Sequence, residues 1–175
     1  MSITDDALKA NESYAREFAL EHLPMPPARK LAIVACMDAR LTVEQALGLK
    51  TGDAHIIRNA GGIVTEDAIR SLIISHHLLG TQEFIIINHT DCGMLTFKGE
   101  DLAAKLEAGT DAAAVTPQSF HAFSNLEENV RQQIQRVKSH PWIPANISVR
   151  GFIYDVKTGK LNEVPAGKAR GKSAK

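Results

Sequence analysis

Four short apolar runs punctuate the chain: LAIVAC at 31–36, AHIIR at 54–58, EFIIINH at 83–89 and ISVRGFIYDV at 147–156. Each is rich in β-branched residues and apolar on both faces, the pattern of a strand buried in a parallel sheet. Helical signals separate them. Thr42, with Gln45 three residues on, opens TVEQALGL, and Thr65, followed by Glu66 and Asp67, opens a helix that closes at Gly80. Ser124 with Glu127 forms a capping box ahead of the helical face Leu126, Val130, Ile134 and Val137, which ends at the breaker HPWIP. Buried parallel strands need helical crossovers, so the alternation predicts an α/β fold built on an open three-layer sheet of about four parallel strands.

The ends of the chain read differently. Residues 4–23 predict an N-terminal helical arm with Thr4 as its cap and Asp5 and Asp6 in its first turn, stopped by PMPP at 24–27. The Ala-rich stretch 96–117 predicts a short helix in a long excursion that borders a pocket. YDVKTGKLNEV predicts a strand, a turn at 157–160 and a returning antiparallel C-terminal edge strand, and the polar residues 166–175 predict a disordered tail. With 175 residues, 44% of them hydrophobic, the chain suffices for one core, so a single domain over 1–175 is expected, with 1–27 as its arm.

Charge narrows the partners. Lys+Arg and Asp+Glu each total 20, so no net field recruits nucleic acid or a membrane surface, and a small-molecule substrate is expected. No apolar stretch approaches the roughly 18 residues of a membrane span. The polar, acidic N-terminus is unlike a secretory signal, so a cytoplasmic location is expected. Cys36 and Cys92 are the only cysteines, and a reducing compartment disfavours a disulfide between them. They are either buried small hydrophobes or chemistry.

Position favours chemistry. Cys36 closes the first predicted strand, His89 closes the third and Cys92 follows three residues later; in open α/β sheets ligands sit beyond the carboxyl ends of strands. Cys36, His89 and Cys92 would together make a Cys2His set that suits Zn2+ and leaves a fourth tetrahedral place to fill. A hydrogen-bonded strand-end histidine and two buried thiols are the bland alternative. They would not require the adjoining Asp38 and Arg40, however. Asp38 can reach the ion or its bound hydroxide, and Arg40 offers a planar fork able to hold that carboxylate. Without that partner Asp38 is a possible fourth ligand that shuts the site. In RNAGG, 58–62, the backbone of Gly61 and Gly62 can approach a small substrate and donate an N–H, although a plain strand-to-helix turn also explains two glycines. Asp91 either orients a neighbour or caps the next helix. None of His22, His55, His76, His77, His121 and His140 is assigned to zinc.

The sequences Cys36-Met37-Asp38-Ala39-Arg40 and His89-Thr90-Asp91-Cys92, with RNAGG, the TEDAIRSL helix and YDVKTGKL, resemble the β-class carbonic anhydrases over most of residues 30–162. The resemblance implies a zinc lyase that reversibly hydrates carbon dioxide to bicarbonate and a proton by zinc-bound hydroxide. It also implies an Asp38/Arg40 gate, Gly61 and Gly62 as pocket wall, and a homodimer or homotetramer with the N-terminal helix packed across the dimer. Met37 and Ala39 stand where many members have serine. Ile33 stands where some bacterial members carry the tryptophan of a bicarbonate regulatory site.

Other chemistries start from the same residues. Carbonyl sulfide and carbon disulfide are small linear electrophiles that the same zinc site attacks in relatives of this family. A cysteine phosphatase loop needs its arginine six positions after the cysteine, where Thr42 stands, and no C-x-x-C suits thiol redox chemistry. A non-catalytic zinc-binding module would use the same three ligands but would not need Arg40. The thiolates make a pH prediction. Two of them cancel the formal charge of the ion, so bound water stays less acidic than on a neutral-ligand site. Hydration activity is therefore expected to climb above neutrality, and a flat stopped-flow rate between about pH 6.5 and about pH 9 would contradict this.

Overall fold

A computed structural model describes residues 2–110, 112, 117 and 119–166. The helical elements are α1 (Ile3–Arg16), α2 (Val43–Leu47), α3 (Glu66–His77), α4 (Gly99–Thr110) and α5 (Leu126–Lys138). The strands are β1 (Leu31–Cys36), β2 (Ala54–Asn59), β3 (Glu83–His89), β4 (Ser148–Tyr154) and β5 (Leu161–Val164), joined in one sheet in the order β2-β1-β3-β4-β5. Strands β1 to β4 run parallel and β5 returns antiparallel at the edge, as the alternation of patterns predicts.

Burial explains why these runs are strands. Successive side chains of a strand face opposite sides of the sheet, so a run apolar at every position needs cover on both. On one side Ala32, Val34, Phe84 and Ile86 pack against Ala68 and Leu72 of α3 and Val130 and Ile134 of α5. On the other, Ile33, Ala35 and Ile87 meet Leu41, Val43 and Met94. The chain thus leaves β1 for β2 through α2 on one face and returns past β1 to β3 through α3 on the other. That reversal makes the carboxyl ends of β1 and β3 a topological switch point, the place where open α/β sheets bind their ligands.

Several local expectations are corrected. The arm helix α1 stops at Arg16 and is capped by Ser2, whose hydroxyl accepts from the Asp5 N–H at 3.1 Å while Asp5 accepts from the Ser2 N–H at 2.8 Å; Thr4 is not the cap. No residue of α1 is buried, so no tertiary packing carries it on to residue 23. Asn125 rather than Ser124 caps α5, accepting from the Glu128 N–H at 2.9 Å. Thr42 precedes α2 but turns its hydroxyl to Gln45 rather than to the backbone. Thr65 does cap α3, through Ala68. The excursion holds the helix α4. Residues 167–175, most of the expected tail, lie outside the described residues. Among the described residues no helix is long and apolar enough to cross a membrane.

Gly151 on β4 sets how closely α5 approaches the sheet. A Cβ there would stand against Val130 and 2.7 Å from Ile134 Cδ1, so one added methyl displaces the helix. Gly151→Ala is expected to cost about 1–3 kcal/mol as an overpacked core contact. Urea denaturation would check it, with a lowered midpoint and an unchanged slope.

Candidate metal centre

The parallel register places the pieces. Cys36 is the last residue of β1, opposite Asn59 of β2, and His89 is the last of β3, opposite Tyr154 of β4. Beyond β1 the Met37 N–H donates to the Asn59 carbonyl at 2.9 Å, and Arg58 of β2 reaches across. Its Nε donates to the Cys36 carbonyl at 3.0 Å and its Nη2 to the Asp38 carbonyl at 2.6 Å. Beyond β3 the Thr90 N–H donates to the Tyr154 carbonyl at 2.9 Å, and the Thr90 hydroxyl accepts from the Val156 N–H at 3.1 Å. Asp91 follows with φ of 55°, a left-handed conformation that Asp tolerates better than most residues and that turns the chain sharply before Cys92.

These constraints bring Cys36, His89 and Cys92 together, all buried, with one ligand atom from each lying within 4.8 Å of the others. The donors fit zinc. His89 Nδ1 donates to the Thr90 carbonyl at 2.8 Å, so Nδ1 carries a proton and Nε2 is the nitrogen that can offer a lone pair to a metal. Buried Nε2 has no hydrogen-bond partner, an orphaned atom of the kind that a ligand position explains.

The electrostatics point the same way. The Cys92 thiol, as hydrogen-bond donor, holds the Cys36 pKa down to about 4 against the opposing effect of burial, aided by His89 and by the backbone at Asp38 and Gly61. The same contact, with burial, pushes Cys92 above the ordinary thiol range. Burial opposes charging His89, but the Cys36 sulfur and the Thr90 carbonyl outweigh it and raise its pKa. Without a cation the three groups must share protons among themselves. A divalent ion held by Cys36, His89 and Cys92 would replace those protons and pair with both sulfurs.

Asp38 borders this cluster, with Oδ2 3.6 Å from His89 Nε2. Both its oxygens are taken up by Arg40: Oδ1 accepts from the Arg40 backbone N–H and Nε, each at 2.9 Å, and Oδ2 from Nη2 at 2.8 Å. Arg40 holds the Asp38 carboxyl well below the usual carboxylate range. Arg40 is itself anchored on the other loop, its Nη1 donating to Asp91 Oδ2 at 2.7 Å and its Nη2 to the Asp91 carbonyl at 3.0 Å. One guanidinium therefore ties the segment after β1 to the segment after β3.

The turn Ala60–Gly62 closes the inner side. Gly61 and Gly62 have φ of 83° and 61°, and a Cβ on Gly62 would stand 2.8 Å from the Ile87 carbonyl and 2.9 Å from the Cys36 nitrogen. The conformation and the space both require glycine. Of the remaining histidines, His55 bonds Ser75, His76 the Thr81 carbonyl and His77 the Trp142 carbonyl, all away from the cluster. Sequence reading left Asp91 undecided and did not weigh Arg58. Each finds its partners only once neighbouring strands are in register, so neither carries a local signal.

The carbonic anhydrase family model matches residues 31–161. Beta-carbonic anhydrase 1 of Mycobacterium tuberculosis is 50% identical over 165 residues, covering 94% of this chain and 99% of that protein. A carbon disulfide hydrolase of Saccharolobus solfataricus is 38% identical, over 91% of this chain and 87% of that one. The crystal structure of a carbonic anhydrase from Streptococcus mutans superposes with a TM-score of 0.88 at 47% identity, covering 94% of this chain and 99% of the other. A Cys2His cluster at the switch point of such a sheet, and likeness along nearly the whole chain, lead to one conclusion: the chain belongs to the β-carbonic anhydrase family.

Proposed function

We propose that this chain reversibly hydrates carbon dioxide to bicarbonate and a proton, with Cys36, His89 and Cys92 holding its zinc. The observation that carries the reading is the convergence of those three side chains beside an Asp38 carboxylate that Arg40 holds at both oxygens. Zinc bound there supplies a Lewis acid that makes water nucleophilic near neutral pH. Asp38, fixed by Arg40 and kept ionised, is an acceptor: it accepts a hydrogen bond from the attacking oxygen and so turns that oxygen's lone pair toward the carbon. Arg40 keeps Asp38 in that role instead of as a fourth ligand, and Asp91 keeps Arg40 in place. Gly61 and Gly62 wall the substrate with backbone, and Gly62 offers its N–H to the charge that develops on the substrate's oxygens.

A carbon disulfide or carbonyl sulfide hydrolase is the second reading, favoured by the named hydrolase at 38% identity. The residues inferred for carbon dioxide serve either substrate, so the pocket wall decides between them. The chain is further read as one cytoplasmic domain, because a site with two free thiols needs reducing surroundings. It is read as a homodimer or homotetramer, because the arm α1 has no buried residue and leaves Leu8, Tyr14 and Phe18 exposed, a strip for a second copy to cover.

Four tests separate these readings. Purified protein is expected to hold one zinc per chain and to accelerate carbon dioxide hydration at about pH 8.5; zinc without acceleration would favour the binding module. Assaying carbonyl sulfide on the same preparation separates the two enzymes. Arg40→Met, which frees Asp38, is expected to lower kcat/KM for carbon dioxide by roughly 10- to 100-fold with zinc retained; full activity would remove Arg40 from the mechanism. For the arm, sedimentation of Leu8→Ser/Phe18→Ser is expected to show a smaller assembly than the parent, and an unchanged mass would exclude the arm from the interface.

A further inference from the structure

Helix α5 carries two buried amides, Asn129 and Gln133, on the face that packs against the sheet, where apolar residues would suffice for packing. Their partners explain them. The Val64 N–H donates to Gln133 Oε1 at 2.9 Å, Gln133 Nε2 to Asn129 Oδ1 at 3.0 Å, and Asn129 Nδ2 to Asn88 Oδ1 at 2.8 Å. Asn88 Nδ2 then donates to the Gly61 carbonyl at 2.7 Å and to the Gly62 carbonyl at 3.3 Å. The chain of donors starts on the backbone at Val64 and ends on the backbone at Gly61 and Gly62, so it closes on one short segment.

Every amide in this ring uses its oxygen toward one neighbour and its nitrogen toward the next. The polarity therefore runs one way round, and flipping any one amide would set like groups face to face. The segment is also pinned at its edge. Asn59 Nδ2 donates to the Ile63 carbonyl and Asn59 Oδ1 accepts from the Ile63 N–H, both at 2.7 Å.

The consequence lies on the opposite side of the peptide planes. A trans peptide points its N–H away from its C=O, so drawing the Gly61 carbonyl onto Asn88 directs the Gly62 N–H away from the ring. Gly62 itself lies against the end of β1, where a Cβ would stand 2.9 Å from the Cys36 nitrogen. Asn88 is the strand neighbour of His89, and alternation sends one side chain to the helix face and the other to the cluster. One strand end thus supplies a metal ligand and the keystone of the ring.

We propose that Asn88, Asn129 and Gln133 are positioning residues for the reaction, forming a hydrogen-bonded ring that fixes the Gly61–Val64 backbone against the Cys36 end of β1. This rests on the reading of Gly61 and Gly62 as substrate wall. The ring acts through α5, so a helix that touches neither substrate nor ion sets the geometry of the pocket. Packing alone would ask only for shape at positions 129 and 133, whereas the ring asks for donors and acceptors in a stated order.

Asn129→Leu and Gln133→Met keep approximate shape and remove the hydrogen bonds, and each is to be compared with the parent as zinc-loaded full chains. Zinc per chain, thermal midpoint, peptide-level amide exchange and carbon dioxide hydration are measured together. Expected are one zinc per chain, faster exchange confined to residues 60–64 with β3 and α5 still protected, and kcat/KM lowered by roughly 10- to 100-fold. The proposal is overturned by unchanged exchange at 60–64, by kcat/KM within about twofold of the parent, or by exchange that rises equally through β3 and α5. If Asn129→Leu does not fold, Gln133→Met decides by the same readouts. A parent that binds zinc but hydrates no carbon dioxide sinks the functional reading instead, and exchange at 60–64 then decides the ring by itself.

Discussion

Two sulfurs and an imidazole nitrogen within 4.8 Å of one another, all buried, form a donor set of the kind that holds a divalent cation. Buried anions are costly unless paired, and protons shared among three donors satisfy them incompletely, as the orphaned Nε2 of His89 shows. The rest of the site serves this constraint. Strands β1 and β3 lie side by side so that Cys36 and His89 arrive at the same rim, and the left-handed turn at Asp91 brings Cys92 back to them.

Arg40 is the second organising element. It binds Asp38 on its own loop and Asp91 on the other, and so links the two motif segments by charge-assisted bonds that a lysine, with no planar fork, could not reproduce. Exposed ion pairs contribute little to stability, and Arg40 is about half exposed, so its value here is geometric. In the proposed reading it decides whether Asp38 faces the attacking water or the ion.

The fold contributes rigidity at the places where the chemistry requires it. Helix α5 sits close on β4 because Gly151 leaves room for Val130 and Ile134, and from that position Asn129 reaches Asn88 near the end of β3 while Gln133 reaches Val64. Gly62 occupies a space beside the Cys36 nitrogen that no side chain could enter. Backbone, helix and the Cys36–His89–Cys92 cluster are therefore packed together. The arm α1 is the exception, with no core contact of its own.

The strands, the crossover helices and the Cys2His set were legible in the sequence because each leaves a local trace: two-face apolar runs, capping residues, and cysteine and histidine at strand ends. Asp38 and Arg40 were legible for the same reason, lying two and four residues beyond Cys36. The cap of α5 was misjudged by one residue and the end of α1, at Arg16 instead of Leu23, by about two turns, because boundaries depend on packing that local pattern does not record. Asp91 as the anchor of Arg40, Arg58 as the clasp on β1, and the ring through Asn88, Asn129 and Gln133 join residues from separate parts of the chain. The sequence by itself determined which elements form and which donors are available, since periodicity and residue chemistry are local properties. Only the tertiary structure decided which of those groups meet, because a hydrogen bond between distant residues depends on strand order, register and helix approach.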